Sequence, residues 1–259
     1  MSGGPMIDLH SHILPGLDDG AESVETALEM ARSAVADGIG TIAATPHVRA
    51  HDYPTRPEEM EARIDELRAA LRAAGIPLEL LPGGEIALEM VPELDDPALR
   101  RFGLAGNPQC LLLETPYLGW PIGIEEIFFQ LRLRGYTLVL AHPERNPEVQ
   151  ASPERLERLV ESGTLVQLTA ASVDGRLGPV PRKTALRLLE LGFAHMLASD
   201  SHAPTVRQVG LSAAVSAVGD PALAQWLTEG VPRAIVEGRP VPDRPERPGR
   251  HFRLPLFRR

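Results

Sequence analysis

The sequence predicts an α/β protein, one closed or nearly closed barrel of about seven parallel strands. Three observations lead there. Short apolar runs of strand length alternate with stretches whose apolar residues recur at helical spacing, the order that gives parallel strands joined by right-handed crossovers. Most apolar runs end in a histidine, aspartate or glutamate just before a turn, and the carboxyl ends of parallel barrel strands share the face that carries the site. No glycine-rich dinucleotide fingerprint follows the first strand, which disfavours an open Rossmann sheet.

Met6, Ile7 and Leu9 make the first strand. His10 and His12 lie two apart and so project to one side of it. Pro15-Gly16 break the strand, and Asp18-Asp19-Gly20 follow in the loop. Ser23 caps a helix striped by Val24, Ala27, Leu28, Ala31 and Val35, which Asp37-Gly38 ends. Ile39 to Thr45 is a buried strand stopping at Pro46-His47. Thr55-Arg56-Pro57-Glu58 has the form of a capping box, and Met60, Ile64, Leu67 and Leu71 stripe the helix it opens. Leu78 to Leu81 is a strand leading to Pro82-Gly83-Gly84-Glu85. A less regular region reaches Pro108, with a turn at Asp95-Asp96-Pro97. Cys110 to Leu113 is a strand ending at Glu114, Ile122 to Leu133 a helix, and Tyr136 to Leu140 a strand ending at His142. Ser152-Pro153-Glu154 starts a helix, with cap and proline in their favoured places. Thr164 to Thr169 is a strand, Pro181 to Leu191 a helix, and Ala194 to Ser199 the last strand, ending at Asp200-Ser201-His202. Helices fill most of Arg207 to Gly238.

Bulk properties bound the function. The 259 residues suit one domain, 1–238, followed by an Arg/Pro-rich extension, 239–259, with seven arginines. That extension reads as a surface-lying tail in preference to a docking segment for an acidic partner or a membrane surface. No apolar run nears the ~18 residues of a membrane span. The first residues lack the pattern of a signal peptide, so a cytoplasmic location is expected. A net charge of −9 argues against general nucleic-acid binding. The single cysteine, Cys110, excludes an internal disulfide. It sits in an apolar run with no phosphate-cradling loop around it and reads as a buried small side chain, not a nucleophile.

The strand ends together carry His10, His12, His47, Glu85, Glu114, His142, Asp200 and His202, with Asp19 in the loop after the first strand. Imidazoles and carboxylates without thiolate suit manganese, iron or zinc in a working site more than structural zinc. Nine donors are too many for one ion and suit two or three. His51, His195 and His251 do not fit the pattern: His51 lies in a loop, His195 within a strand beside a helix, His251 in the tail. Arg145 stands just past His142, and Arg207 just past His202. Arginine beside a metal cluster suggests a phosphate held bidentately. Three divalent ions would outweigh Asp19, Glu85, Glu114 and Asp200 even with a hydroxide added, so an anionic phosphate would be drawn in despite the acidic chain. Tyr117 and Trp120, in the loop after Glu114, are expected to pack within the loop in preference to flanking a substrate ring.

These motifs, Asp8-Leu9-His10-Ser11-His12 with Asp18-Asp19-Gly20, Thr45-Pro46-His47, Gly84-Glu85, Leu113-Glu114, Ala141-His142-Pro143-Glu144-Arg145 and Ser199-Asp200-Ser201-His202, resemble the polymerase and histidinol phosphatase (PHP) superfamily. Within it the set is similar to the bacterial capsule-type tyrosine-protein phosphatases, the CpsB/CapC/YwqE group, over roughly residues 6 to 220. The resemblance implies a distorted (β/α)7-type TIM-like barrel, the PHP fold, with a trinuclear, usually manganese-activated centre. It implies hydrolysis of phosphotyrosine on protein, typically the tyrosine-rich tail of a bacterial kinase that controls exopolysaccharide export, with membrane proximity only through that substrate. By position, His10, His12, Glu85 and Asp200 would hold one ion. Glu85, Glu114 and His142 would hold a second, and Asp19, His47 and His202 a third. Arg145 and Arg207 would neutralise the phosphoryl oxygens in a direct hydrolysis without a phosphoenzyme. Rival readings are the same chemistry on a small phosphate monoester such as histidinol phosphate, a metal-dependent phosphodiesterase or nuclease, and a non-catalytic scaffold of the same fold.

Overall fold

The computed structural model describes residues 4–203 and 208–246. Its strands are β1 Met6–Ser11, β2 Ile39–Ala44, β3 His47–Val48, β4 Glu79–Pro82, β5 Glu85–Ala87, β6 Cys110–Glu114, β7 Thr137–Leu140, β8 Leu165–Thr169 and β9 Met196–Ala198. They pair in the orders β1-β2-β4 and β3-β5-β6-β7-β8-β9, and every one of these pairings is parallel. The result is an α/β fold whose parallel sheet curls round one apolar core as a half-barrel. The edge at β1 turns towards β9, where the Asp200 N–H donates to the His10 carbonyl (2.9 Å) and the His12 N–H to that of Ser201 (2.8 Å). Strands covered on both faces must be apolar along their length. Cys110, Leu111, Leu112 and Leu113 of β6 are accordingly all buried.

Two breaks in the sheet turn side chains into its carboxyl end. Between β2 and β3 the chain passes Thr45-Pro46, and between β4 and β5 Gly83-Gly84. Proline cannot donate to a ladder, so the Pro46 carbonyl is used instead, accepting from the Glu85 N–H at 3.0 Å. A Cβ on Gly84 would come within 2.8 Å of the Phe102 ring, so only glycine allows this approach. Past the breaks, β3 and β5 pair His47 with Glu85 in register.

Helix α1, Val24–Ala36, starts where Ser23 Oγ accepts from the Thr26 N–H at 3.2 Å and ends before Gly38 at φ +91°. It buries Ala27, Met30, Ala31 and Ala34. Helix α2, Pro57–Ala73, buries Met60, Ile64, Leu67 and Leu71, each full leucine or isoleucine burial contributing about 1.5–3 kcal/mol. Its cap is one residue later than expected: Glu59 closes back on the Arg56 N–H at 3.1 Å. Asp95-Asp96-Pro97 is not a free turn but opens α3, Asp96–Arg101, with Asp95 as its cap. Helix α4 is Ile124–Leu133, so Ile122 lies outside it, ahead of Gly123 at φ +78°. The helix expected from Ser152 is a 3-10 turn, Pro153–Leu156, running into α6, Glu157–Glu161, and α5, Pro147–Ala151, precedes it. The unanticipated α7, Ala170–Asp174, follows β8, and α8 spans Pro179–Leu191. After the last strand come α9 Ser212–Val218, which packs on α7, then α10 Pro221–Gln225, and α11 Val231–Val236, which packs on β1. Of the C-terminal extension, the described part reaches Glu246; the Pro242 carbonyl accepts from Trp226 Nε1 at 2.9 Å and Arg244 donates to the Leu189 carbonyl at 2.8 Å. Arg207 and His251 lie outside the described residues.

Candidate metal centre

His10 and His12 leave the end of β1, His47 opens β3 just past β2, Glu85 opens β5, and Glu114 closes β6. His142 follows β7, while Asp200 and His202 follow β9. All of these are buried; Asp19, on its loop, is half exposed. The loop reaches the cluster because Gly20 folds back under His12, where a Cβ would fall 1.9 Å from the His12 carbonyl oxygen. Three non-glycine residues among those described hold a positive φ: Ala105, His142 at +29° and Asp200 at +49°. Backbone strain of this kind persists where the surroundings over-determine it, and two of its three sites here are donor positions.

The donors fall into four overlapping groups whose ligand atoms lie within 4.8 Å of one another: His12, Asp19, His47, His202; His10, His12, Glu85; His10, His142, Asp200; and His47, Glu85, Glu114. His10 Nε2 is 3.5 Å from both Glu85 Oε1 and Asp200 Oδ1, and His12 Nε2 is 3.4 Å from Asp200 Oδ1. His142 Nε2 is 2.7 Å from Glu85 Oε1. Glu85 thus contacts histidines of all four groups. His142 shares a group with His10 and Asp200, and His47 one with Glu85 and Glu114, while His142 Nε2 also lies 2.7 Å from Glu85 and 3.8 Å from Glu114.

Side chains behind the donors fix their tautomers. Gln167 Oε1 accepts from His10 Nδ1 (3.0 Å) and from the His142 N–H (3.2 Å). Asp18 Oδ2 accepts from His12 Nδ1 (2.6 Å) and from the His47 N–H (2.9 Å). With both Nδ1 hydrogens committed, His10 Nε2 and His12 Nε2 face each other at 3.3 Å. Two lone pairs cannot share that gap without a proton or a cation between them. Likewise His47 Nδ1 and Glu85 Oε2 are buried 2.7 Å apart, yet neither makes a hydrogen bond. The donor set therefore fits divalent cations on its own geometry.

Electrostatics agree. Burial works against charge on His10, but the carboxylates of Glu85 and Asp200 overcome it and raise its pKa. Burial is likewise overcome at His47 by Glu85 and Asp19, which lift it to about 9. Burial pushes Glu85 and Asp200 upward, and the histidines, His10 foremost, hold both well below the carboxylate range. Metal-free, the pit keeps protons where cations would sit.

Arg145 donates to the Asp200 carboxylate and to the Tyr117 hydroxyl, its guanidinium 5.4 Å from the Tyr117 ring centre. Trp120 packs under Arg155, 5.8 Å away. Three further residues support the donors: Asp18, Gln167 and Arg49. Arg49 sends Nε (3.2 Å) and Nη2 (2.6 Å) to Glu114 Oε2. Asp18 had a signal in the Asp-Asp-Gly triplet; Gln167 and Arg49 had none. Burial pushes the Cys110 thiol up to about 12, which removes it as a nucleophile.

Buried imidazoles and carboxylates that converge at one end of a curled parallel sheet, with Arg145 beside them, have the chemistry of a metal-dependent hydrolase. Residues 6–223 match the family described as capsular polysaccharide synthesis, CpsB/CapC, and the chain belongs to that family. Tyrosine-protein phosphatase YwqE of Bacillus subtilis (strain 168) is 41% identical over 197 residues, 76% of this chain and 77% of that protein. Tyrosine-protein phosphatase CpsB of Streptococcus pneumoniae is 28% identical over 209 residues, 76% and 83% of the two chains. A crystal structure from a study of YwqE and CpsB as unique metal-dependent tyrosine phosphatases superposes with a TM-score of 0.85 at 34% identity, covering 93% of this chain and all of the other.

Proposed function

We propose that this chain is a metal-dependent protein-tyrosine phosphatase. Its substrate is phosphotyrosine on a polypeptide, the tyrosine-rich tail of a bacterial kinase governing exopolysaccharide synthesis, and it works in the cytoplasm. Counting β2 with β3 and β4 with β5 as interrupted staves gives the barrel seven. The observation that carries the reading is the convergence of His10, His12, Asp19, His47, Glu85, Glu114, His142, Asp200 and His202 on one end of that barrel, with Arg145 beside them. These nine donors would hold two or three ions, with manganese assigned first and iron or zinc as the other ions they suit.

Divalent ions supply Lewis acidity and acidify the attacking water. The chain's own groups do the rest. Gln167 and Asp18 hold the imidazoles of His10 and His12 with their Nε2 lone pairs inward. Arg145, anchored on Asp200, offers its remaining N–H groups to phosphoryl oxygens as charge spreads over them; Arg207 is given the same task. The leaving phenolate has an ordinary pKa of about 10, so it departs with less help from an acid than an alkoxide needs.

The test is to strip the protein with chelator, restore manganese, and compare phosphate release from a phosphotyrosine peptide, a phosphoserine peptide and histidinol phosphate. Manganese-dependent release from phosphotyrosine is the expected result. Preference for histidinol phosphate would overturn the substrate, and no turnover with metal bound would overturn the enzyme.

A further inference from the structure

Glu114 and Asp200 each carry an arginine, Arg49 on the first and Arg145 on the second. Arg145 has a task in the reaction; Arg49 has a different one, which the sheet register sets up. β3 pairs His47 with Glu85 and Val48 with Ile86, so Arg49, next along the chain, stands level with Ala87. Ala87 in turn pairs with Glu114 of β6. Neighbouring strands lie about 4.8 Å apart, so Arg49 and Glu114 are separated by roughly 10 Å of sheet. A long side chain at position 87 would fill that gap; alanine leaves it open. The backbone at Arg49 is tied as well. Its N–H donates to the Tyr53 carbonyl at 2.9 Å, Val48 bridges to Pro54, and the Tyr53 ring stacks on that of His47, centroids 5.6 Å apart.

Arg49 sends both Nε (3.2 Å) and Nη2 (2.6 Å) to one oxygen of Glu114, Oε2. A carboxylate oxygen offers two acceptor sites, and these two N–H groups fill them. Oε2 is the oxygen on the His47 side, 3.8 Å from its Nδ1. Oε1 lies 3.8 Å from His142 Nε2, which is itself 2.7 Å from Glu85 Oε1. The arginine therefore decides which side of the centre receives this carboxylate. We propose that Arg49 is a positioning residue: it holds Glu114 by Oε2 and leaves Oε1 to a metal ion shared with Glu85 and His142. The role rests on the metal-dependent phosphatase reading and deepens it. A guanidinium charge beside cations repels them. If charge were its whole effect, the chain would bind manganese better without Arg49. Orientation of the carboxylate has the opposite sign.

The experiment is manganese titration calorimetry on the full metal-free chain and two variants. Arg49→Met keeps an unbranched stem and loses charge and donors; Arg49→Lys keeps the charge and a donor. In Arg49→Met one manganese per chain should bind about 10–100-fold more weakly, with the rest unaltered, and Arg49→Lys should recover most of that loss. A weakened ion returns by mass action, so excess manganese should restore the turnover of p-nitrophenyl phosphate by Arg49→Met at an unaltered KM. Equal or tighter manganese binding by Arg49→Met would overturn the proposal, because Arg49 would then act by charge alone or not at all. A loss that excess manganese leaves unrepaired and that falls on KM would also overturn it, since Arg49 would then touch the substrate. So would equal weakening of every ion together with a lower urea midpoint of the metal-free variant, the mark of a loosened loop. If the unaltered chain binds no manganese, the proposal falls together with the metal centre. Manganese binding without turnover of any phosphotyrosine substrate would bring down the phosphatase reading alone.

Discussion

Two histidines of this chain, one buried and one half-buried, lie at opposite ends of the titration scale. His47, among Glu85, Asp19 and Glu114, is raised to about 9. His195, beside Trp226 with Arg244 near, is lowered to about 4, chiefly by burial. Burial disfavours the proton in both places; what differs is the company. His195 Nδ1 accepts from the Val166 N–H at 3.2 Å, a bond that only the neutral ring makes, so this region keeps histidine as a packing group. The catalytic end gathers carboxylates round its histidines and makes them hold positive charge. At the catalytic end cations would take the place of those protons; beside His195 the neighbouring charge is Arg244, itself a cation.

The sharpest break of that contrast is Asp200→Ala. It removes the carboxylate that faces His10 and His12 and that anchors Arg145. Phosphate release from a phosphotyrosine peptide should fall by at least about 10³-fold, the scale of losing a group central to transition-state charge. Turnover within tenfold of the unaltered chain, measured at saturating manganese, would remove Asp200 from the site.

The second test uses pH. His47 is raised in the metal-free fold from its ordinary 6.5 to about 9. Its charge therefore stabilises the metal-free chain fully below about 6.5, and that stability is lost as pH rises towards 9. Manganese must displace this proton, so affinity should rise about tenfold per pH unit between 7 and 9. Titration calorimetry in buffers of different ionisation enthalpy would count the protons released. No release would mean that His47 does not ligate.

Gln167→Leu sharpens the comparison from behind the ligands. It removes the acceptor for His10 Nδ1 and the His142 N–H, freeing the His10 tautomer. Manganese affinity should weaken about 10–100-fold, and Gln167→Glu, which keeps an acceptor, should recover most of it. This residue also shows what the sequence could carry. Eight of the nine candidate donors are legible because each stands at or just past the end of an apolar run, and the carboxyl ends of neighbouring parallel strands share one face; Asp19 is legible only from its place in the loop after the first strand. Gln167 is an ordinary polar residue inside β8, and its role exists only because β7 and β8 lie side by side, with β1 across the barrel. Arg49 is a similar case: nothing near His47 in sequence announces Glu114. The strand breaks at Thr45-Pro46 and Gly83-Gly84 were visible as turn residues, but not that two strands resume beyond them, since β3 and β5 are too short to show a period. The helices with clear stripes, α1 and α2, lie close to the bounds that their sequences predict. The short turns around α5 and α6 offered too few residues for a pattern.

The smallest effect belongs to the packing region. Because His195 is neutral when folded and binds a proton near 6.5 when unfolded, the unfolded chain holds the extra proton between about 4 and 6.5. Stability must then fall as pH drops through that window, by up to about 3 kcal/mol from this one residue. Asparagine in its place keeps an acceptor near the Val166 N–H and has nothing to titrate. His195→Asn should therefore flatten the acid limb of the stability curve, measured by urea unfolding at pH 4.5 to 7, and leave manganese affinity unaltered. A variant with the same slope as the unaltered chain would show that His195 takes up its proton in the folded state, and that burial beside Trp226 is no barrier to charge there.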